Sequence, residues 1–197
     1  MLAVGRPSVK QQRTEEILDA FARCIVRYGL GGSTLERIAA EAGMQRTILR
    51  HYIGNRDELI AAFGARIERE FMEATDALFT WLPDTNRLES LVEALFDPSL
   101  RSSSQDLAIA QALISASDLY PDIGAGLRSW MLKFDRLVGK ELSTQYPGAK
   151  PSAIAAVSFG LLSIYFSVDA FGPLQLPDQF SKSAKQAAWR LINTLQA

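Results

Sequence analysis

A chain of 197 residues with 48% hydrophobic side chains has enough apolar material for one large helical domain or two small ones, which excludes a disordered chain. Its 21 Lys and Arg against 22 Asp and Glu give a formal charge of -1, which excludes a strongly basic nucleic-acid coat but permits a local patch. The single cysteine, Cys24, excludes an intrachain disulfide and suits a reducing cytoplasm.

The opening residues MLAVGRPSVKQQR do not read as a signal peptide, because the apolar run is too short and no small-residue cleavage site follows. Gly5-Arg6-Pro7 reads as a mobile arm. From it Arg6 and Lys10 could follow a DNA backbone or enter a minor groove, and an inert tail fits Arg6 equally well. From about Gln11 to Tyr28, the residues Ile17, Phe21, Cys24 or Ile25, and Tyr28 mark one face of an amphipathic helix, with Cys24 as a small core residue. Gly29, Gly31 and Gly32 end it. Ser33 or Thr34 can cap a second, short helix whose apolar face is Leu35, Ile38 and Ala39, with Glu36, Arg37 and Glu41 toward water.

Gly43 follows Ala42, where a helix end favours a residue tolerant of positive φ, and Met44 supplies an apolar anchor. A third helix then runs from Gln45 to about Tyr52. Ile48, Leu49 and Tyr52 or Ile53 are expected inward, leaving Gln45, Arg46, Thr47, Arg50 and His51 outside. Gly54 ends this helix and Asn55 caps the next, with Asp57 and Glu58 in its first turn, where carboxylates meet the positive helix end.

Two short helices around a Gly-containing turn form a helix-turn-helix, whose second helix can enter a DNA major groove; a helical corner with a solvated charged face has the same pattern. The outward side chains suit the first reading. Arg46 can reach guanine N7 and O6 or a phosphate, Gln45 can pair with adenine, and Thr47 can touch a thymine methyl or a phosphate. Arg50, His51 and Tyr52 could bind backbone phosphates. The expected DNA contacts are therefore Thr34, Gln45, Arg46, Thr47, Arg50, His51 and Tyr52, with Arg6 and Lys10 on the arm. Residues 1–60 carry nine Lys and Arg against seven Asp and Glu, a small positive excess that permits this reading without requiring it.

The stretch resembles the tetracycline-repressor (TetR) family of transcriptional regulators. The matching residues are Thr34-Leu35, Ile38-Ala39, Ala42-Gly43, Met44, Arg46, Leu49 and His51. Gly54-Asn55-Arg56-Asp57-Glu58-Leu59 follows, where the family usually has a small-Ser-Lys-Glu-Glu-Leu run. The chain departs from the pattern at Arg50, where the family has Tyr, at Ile53, where it has Phe, and at Gln45 and Thr47, where it has Ser and a small residue. The resemblance is specific over residues 10–60; beyond them it rests on helical layout and length.

Asn55 to about Trp81 reads as a long helix with Leu59, Ile60, Phe63, Ile67, Phe71 and Leu78 along one side, a rod between the N-terminal domain and the rest. Pro83, Asp84 and Asn86 break it, and helices follow over Arg87–Phe96, Gln105–Ser117 and Pro121 to about Gln145. The uncharged run from Pro151 to Val168 is short for a membrane span, rich in Ser and opened by Pro, so a buried helix of a soluble protein is expected and no membrane partner. A membrane-anchored chain using residues 151–168 is the competing reading. A last helix runs from Pro177-Asp178 to about Leu195. No strand-like alternation persists, so the fold class expected is all-α. Residues 1–54 would form a three-helix DNA-binding domain, and residues 55–197 a larger effector-binding and dimerisation domain.

Ala153, Ala156, Gly160, Ser163 and Ser167 form a small-residue stripe that lets another helix approach closely, and Phe180, Ala184, Ala187, Ala188 and Leu191 lie on one face of the last helix. Together they suggest a four-helix bundle across a twofold homodimer, although the two helices could equally cover their own core. Phe71, Met72, Phe79, Trp81, Phe96, Leu113, Trp130, Met131, Phe134, Phe159, Tyr165 and Phe166 read equally as plain core. The resemblance implies that some of them line an effector pocket.

Nothing in the pattern supports catalysis. His51 is the single histidine, there is no Cys–His pair or metal-ligand cluster, and no Gly-rich phosphate loop follows a strand, so neither metal nor cofactor is expected. The function expected is a cytoplasmic, dimeric, ligand-responsive regulator that binds a palindromic DNA operator, a repressor released by a small hydrophobic effector. A helical small-molecule-binding protein or enzyme with a vestigial helix-turn-helix is the alternative.

Overall fold

The protein is described here by a computed structural model that covers residues 8–196. Among the described residues there are nine α-helices and no strand. They are α1 (Val9–Gly32), α2 (Leu35–Glu41), α3 (Arg46–Ile53), α4 (Arg56–Trp81), α5 (Arg87–Phe96), α6 (Ser104–Ala116), α7 (Pro121–Gln145), α8 (Pro151–Ala170) and α9 (Asp178–Asn193). Short 3-10 turns occupy Pro98–Leu100, Gly172–Leu174 and Thr194–Gln196. Arg6 lies outside the described residues. Lys10 sits in the first turn of α1 and is exposed, because α1 starts earlier than its apolar pattern does. A capping box explains the early start: Ser8 Oγ accepts from Gln11 N–H at 3.2 Å, and Ser8 N–H donates to Gln11 Oε1 at 2.8 Å.

The chain divides into two compact units. One runs up to Arg69 and takes in Ala108–Leu127; the other is Glu70–Leu107 with the chain from Arg128 on. A cut at residue 54 falls inside the first unit, because the start of α4 is buried there: Leu59, Ile60 and Phe63 are fully enclosed, and the Phe63 ring meets Phe21 edge-on at 5.0 Å. Ile17, Phe21, Ile38 and Leu49 complete this core from α1, α2 and α3. Cys24 is buried among these residues, and that burial pushes its thiol pKa up. Tyr28, expected inward, is instead 42% exposed, with the Arg37 guanidinium 4.6 Å from its ring centroid.

The end of α1 is where the first unit is tied together. At Gly29 the backbone turns to φ 68°, ψ 170°, a left-handed excursion that glycine makes at little cost, and the helix resumes for one turn. Such an end leaves carbonyls without helical partners. Side chains supply the donors: Ser33 Oγ to Gly29 O at 2.7 Å, Arg37 Nη1 to Gly32 O at 2.6 Å, and the Arg56 guanidinium to Ser33 O at 2.5 Å and Leu30 O at 2.6 Å. Arg56 opens α4, so the same group that satisfies the end of α1 fixes where α4 begins. Arg23 and Arg27 of α1 pair with Glu41 at the far end of α2, at 2.7 and 3.3 Å.

In the second unit, Phe79, Leu91, Val92, Leu95, Phe134, Val138, Leu142, Val157, Leu161 and Ile192 form one continuous core. Ser158 Oγ donates to the Asp135 carbonyl and carboxylate at 3.0 and 2.6 Å, tying α8 to α7. Arg87 at the start of α5 makes two 2.9 Å bonds to the buried Glu141 and donates to Phe79 O and Leu82 O at 3.2 Å. By length and composition α8 could cross a membrane; in this fold Ile154, Val157, Leu161 and Leu162 are buried in the core, and it carries the buried Asp169.

Replacing Arg56 with Met keeps the aliphatic stem and removes both donors, leaving Ser33 O without its side-chain donor and Leu30 O with only the 3.4 Å bond from Ser33 N–H. The first unit should lose about 1–3 kcal/mol. Urea denaturation followed by circular dichroism checks this; an unchanged midpoint would mean water replaces the guanidinium at no cost.

Candidate nucleic-acid interface

The α2–turn–α3 stretch is built by local rules. Thr34, not Ser33, is the N-cap of α2: its Oγ1 accepts from Arg37 N–H at 3.3 Å, while Ser33 is buried and its hydroxyl turns back to Gly29. After α2, Gly43 takes φ 65°, the conformation that reverses the chain, and Met44 N–H returns to Ala39 O at 2.9 Å. Gln45 is the N-cap of α3 rather than its first residue, and its carbonyl accepts from Leu49 N–H at 3.0 Å. Asn55 caps α4 through Oδ1, which accepts from Asp57 and Glu58 N–H at 2.8 and 3.0 Å; the Glu58 carboxylate returns to Asn55 N–H at 2.7 Å.

The inner face of α3 is Leu49, fully buried, and Ile53. Its outer face carries Gln45, Arg46, Thr47, Arg50 and His51, all exposed, while Tyr52 is partly buried with its ring edge-on to His51 at 5.1 Å. Thr34 is also exposed. Ile48 was expected inward but is 44% exposed, beside Arg46 and Thr47. The reason is angular: one buried position per turn suffices for so short a helix, and Leu49 and Ile53, four residues apart, already supply it. Sequence reasoning missed Ile48 by counting it as core. The Arg46 guanidinium pairs with Glu36 of α2 at 2.6 Å. The Glu36 carboxyl is held below its ordinary pKa, first by its own backbone N–H and then by the Arg46 charge. The outer face thus carries one amide, a guanidinium, a hydroxyl and a methyl-bearing side chain at the N-terminal end of a short helix and a guanidinium and an imidazole in its last turn, a donor-rich set suited to base edges and phosphates.

Residues 17–63 match the family model described as bacterial regulatory proteins, tetR family. Over that N-terminal stretch the chain is similar to the tetR family. The HTH-type transcriptional regulator BetI of Burkholderia lata is 31% identical over 91 residues, which are 45% of this chain and 47% of that protein. The Burkholderia mallei protein of the same name is 32% identical over a match of the same length. The match thus spans about half the length of these curated relatives. A TetR transcription regulator from Haloarcula marismortui has the same fold, with a TM-score of 0.72 at 18% identity, over 93% of this chain and 97% of that one. A TetR-family transcriptional regulator from Streptomyces coelicolor has a TM-score of 0.71 at 19% identity, over 95% and 98% of the two chains.

In the second unit, the residues expected to line a pocket mostly pack on one another. Trp130 lies 4.7 Å from Phe71 and 5.8 Å from Phe166, and Phe134 lies 6.1 Å from both Phe79 and Phe166. Trp130 Nε1–H donates to Thr75 Oγ1 at 3.0 Å, and Tyr165 stacks against Phe166 at 4.9 Å. Phe96 is buried in the same core and Met72 is partly buried. Trp81, Met131 and Phe159 depart from the expectation: at 65%, 38% and 71% exposed, they face away from that core. Leu113 is fully buried but belongs to the first unit, where it borders a cleft of about 100 Å³ beside Gly64 and Ile123.

A larger cavity, about 370 Å³, lies instead at the C-terminal end of α8 and the start of α9, and includes none of those residues. Ser163, Ser167, Phe180 and Ala184, expected at a dimer interface, border it. The rest of that expected interface divides in two. Gly160 and Ala188 face inward: a Cβ at Gly160 would stand 2.5 Å from Leu191 Cδ2, so the close approach is to the chain's own α9, and Ala188 is fully buried. Ala156 and Ala187 are exposed, and Ala153 and Leu191 are partly buried against the core.

Burial, with a smaller push from Asp169, raises the Tyr165 phenol from its ordinary value of 10.0 to about 12. A folded-state pKa raised in this way favours the fold while the phenol is neutral in both states, and that advantage is lost as pH rises from about 10 toward 12. The denaturation midpoint should therefore fall over that range, and Tyr165→Phe should flatten the fall. Matched urea titrations at pH 9 and pH 11 measure it.

Proposed function

We propose that this chain is a homodimeric, ligand-responsive regulator that binds a palindromic DNA operator sequence-specifically and acts as a repressor. The observation that carries the reading is the outer face of α3. Gln45, Arg46, Thr47 and Ile48 stand exposed at its N-terminal end, the end that meets base edges when a recognition helix enters a major groove, while Leu49 and Ile53 lock its other side to a closed core. The tetR-family match over this stretch and the BetI names of the relatives support the same reading.

In this mechanism Arg46 reads guanine, Gln45 adenine, and Thr47 and Ile48 thymine methyls; Arg50 and His51 hold phosphates. Dimerisation uses the exposed residues Ala156 and Phe159 of α8 and Ala187 of α9, outside the cavity at the end of α8. Two recognition helices would then address half-sites about one helical turn apart, near 34–36 Å. α4 is one unbroken helix from Leu59 in the first core to Phe79 in the second, and it carries the effector's influence to α3. An effector shifts DNA affinity only by binding one state more tightly than the other, and a coupling of about 1–3 kcal/mol corresponds to roughly 5–150-fold.

The test begins with selection of duplexes from a random pool, which should return an imperfect palindrome. On that duplex, Arg46→Ala should cost about 1–3 kcal/mol and relax preference at one position per half-site. Arg50→Ala should weaken all sequences alike and reduce the salt dependence. Phe159→Asp should lower the dimer fraction in sedimentation equilibrium and weaken the palindrome more than a single half-site. No enriched sequence, together with turnover of a small molecule, would replace the regulator with an enzyme that keeps the helix-turn-helix as a scaffold.

A further inference from the structure

We infer that the cavity between the end of α8 and the start of α9 is a binding site for a small amphipathic carboxylate, with Arg101 as the group that receives its charge. The cavity, about 370 Å³, falls within the roughly 300–1,000 Å³ of small-molecule sites. Its walls are mainly apolar, from Ile164, Val168, Phe171, Leu176 and Phe180, and an apolar wall alone would select no chemistry.

Arg101 supplies the selection. It is partly buried, it borders the cavity, and it donates through Nη2 to the hydroxyl of Ser181, which borders the cavity too. Among the described residues no carboxylate stands within ion-pair distance of it. The buried Asp169 carboxylate accepts instead from the backbone N–H of Ser102, the next residue in sequence, at 3.3 Å. Of the chain's other partly buried guanidiniums, Arg87 is matched to Glu141 and Arg66 to Asp19 and Glu15, while Arg56 is met by two backbone carbonyls; Arg101 has one hydroxyl. A guanidinium carries five N–H donors in a planar fork that fits a carboxylate bidentately. Held against an apolar wall with one neutral acceptor, it is short of an anion, and a charge so placed is stabilised by one.

The chemistry on the two sides defines the ligand. A single carboxylate head would bridge Arg101 and the Ser181 hydroxyl, and an apolar body of several carbons would lie along Val168, Phe171 and Phe180. A dianion would leave one charge uncompensated, and an ammonium would face Arg101 with like charge. The site is distinct from the aromatic cluster around Trp130 and Phe134. As an effector site it rests on the regulator reading; as a binding site it does not.

The test uses three probes with the same body, octanoate, octan-1-ol and octylammonium, titrated calorimetrically into the full-length protein. Octanoate should bind at least tenfold more tightly than octanol, and octylammonium should give no saturable heat. Arg101→Gln should reduce octanoate affinity at least tenfold while leaving octanol within twofold, and Arg101→Lys should restore part of the difference. Ala184→Phe, which narrows the cavity without touching the charge, should weaken octanoate and octanol together. Thermal melts show whether each variant is folded. Should Arg101→Gln unfold the chain, the dependence of octanoate and octanol affinity on salt in the native protein decides instead, since only the charged probe should weaken as salt rises.

Equal affinity for octanoate and octanol, or an Arg101→Gln protein that binds octanoate as before, would overturn the assignment. So would the absence of any binding together with an Arg101→Gln shift in the monomer–dimer balance, which would make the cavity a seam between two copies. Operator binding by the same preparations separates this from the regulator reading. Intact palindrome binding with no octanoate site removes this inference alone, whereas octanoate binding with no duplex affinity removes the regulator and leaves the site.

Discussion

The fold depends on how the frayed end of α1 is closed. Gly29 breaks the helix, the chain continues for one turn, and backbone N–H groups reach only Leu30 O and Gly32 O there, at 3.4 and 3.1 Å, so the carbonyls at this end take side-chain donors as well. Ser33, Arg37 and Arg56 provide them, one from each element that the first unit must bring together: the turn, α2 and α4. Hydrogen bonds from a charged donor are about twice as strong as neutral ones, and they are directional. The hydrophobic core of Phe21, Leu49 and Phe63 packs the helices against one another, and the guanidiniums on carbonyls add directional ties between their ends. The exposed face of α3 inherits its orientation from this knot.

The second unit repeats the device with different partners. Arg87, in the first turn of α5, reaches back to the carbonyls of Phe79 and Leu82 at the end of α4, and its charge is met by the buried Glu141 of α7. In both places an arginine at the start of one helix closes the end of an earlier one. The difference lies in the counter-charge: Arg56 is answered by carbonyl dipoles alone, Arg87 by dipoles and a carboxylate. Removing Glu141 would thus leave a partly buried cation, whereas Arg56 has no such liability.

Much of this was legible in the sequence, for reasons that differ by element. The bounds of α2, α3 and α4 follow from Thr34, Gly43 and Asn55, residues whose side chains or φ angles act within a few positions, so they can be read locally. The identity of the helix-turn-helix followed from the same residues. Periodicity, however, tells which residues share a face and not what lies opposite. Gly160 and Ala188 read as a face for a second copy, but Leu191 of the chain's own α9 occupies the space at Gly160. Phe71, Trp130, Phe134 and Phe166 read as pocket walls, and the rings fill that space for one another. Arg101 carried no signal, because its meaning comes from Ser181, eighty residues away in sequence, and from the absence of a facing carboxylate. Ile48 was misplaced because its position on α3 is ambiguous by angle until the burial of Leu49 and Ile53 settles the helix rotation.

Glu36 changes what Arg46 can profitably touch. The two side chains already neutralise each other at 2.6 Å, so any new acceptor for Arg46 must share it with, or take it from, a carboxylate. A phosphate oxygen is itself anionic and would be pressed against Glu36, with repulsion offsetting its attraction to the guanidinium. Guanine N7 and O6 are neutral acceptors and can be added to the pair without that conflict. In the proposed DNA-reading role of α3, the acidic neighbour would act as a filter built from repulsion, penalising the sequence-blind contact more than the informative one. A bare arginine at the same position would grip DNA more tightly and discriminate less.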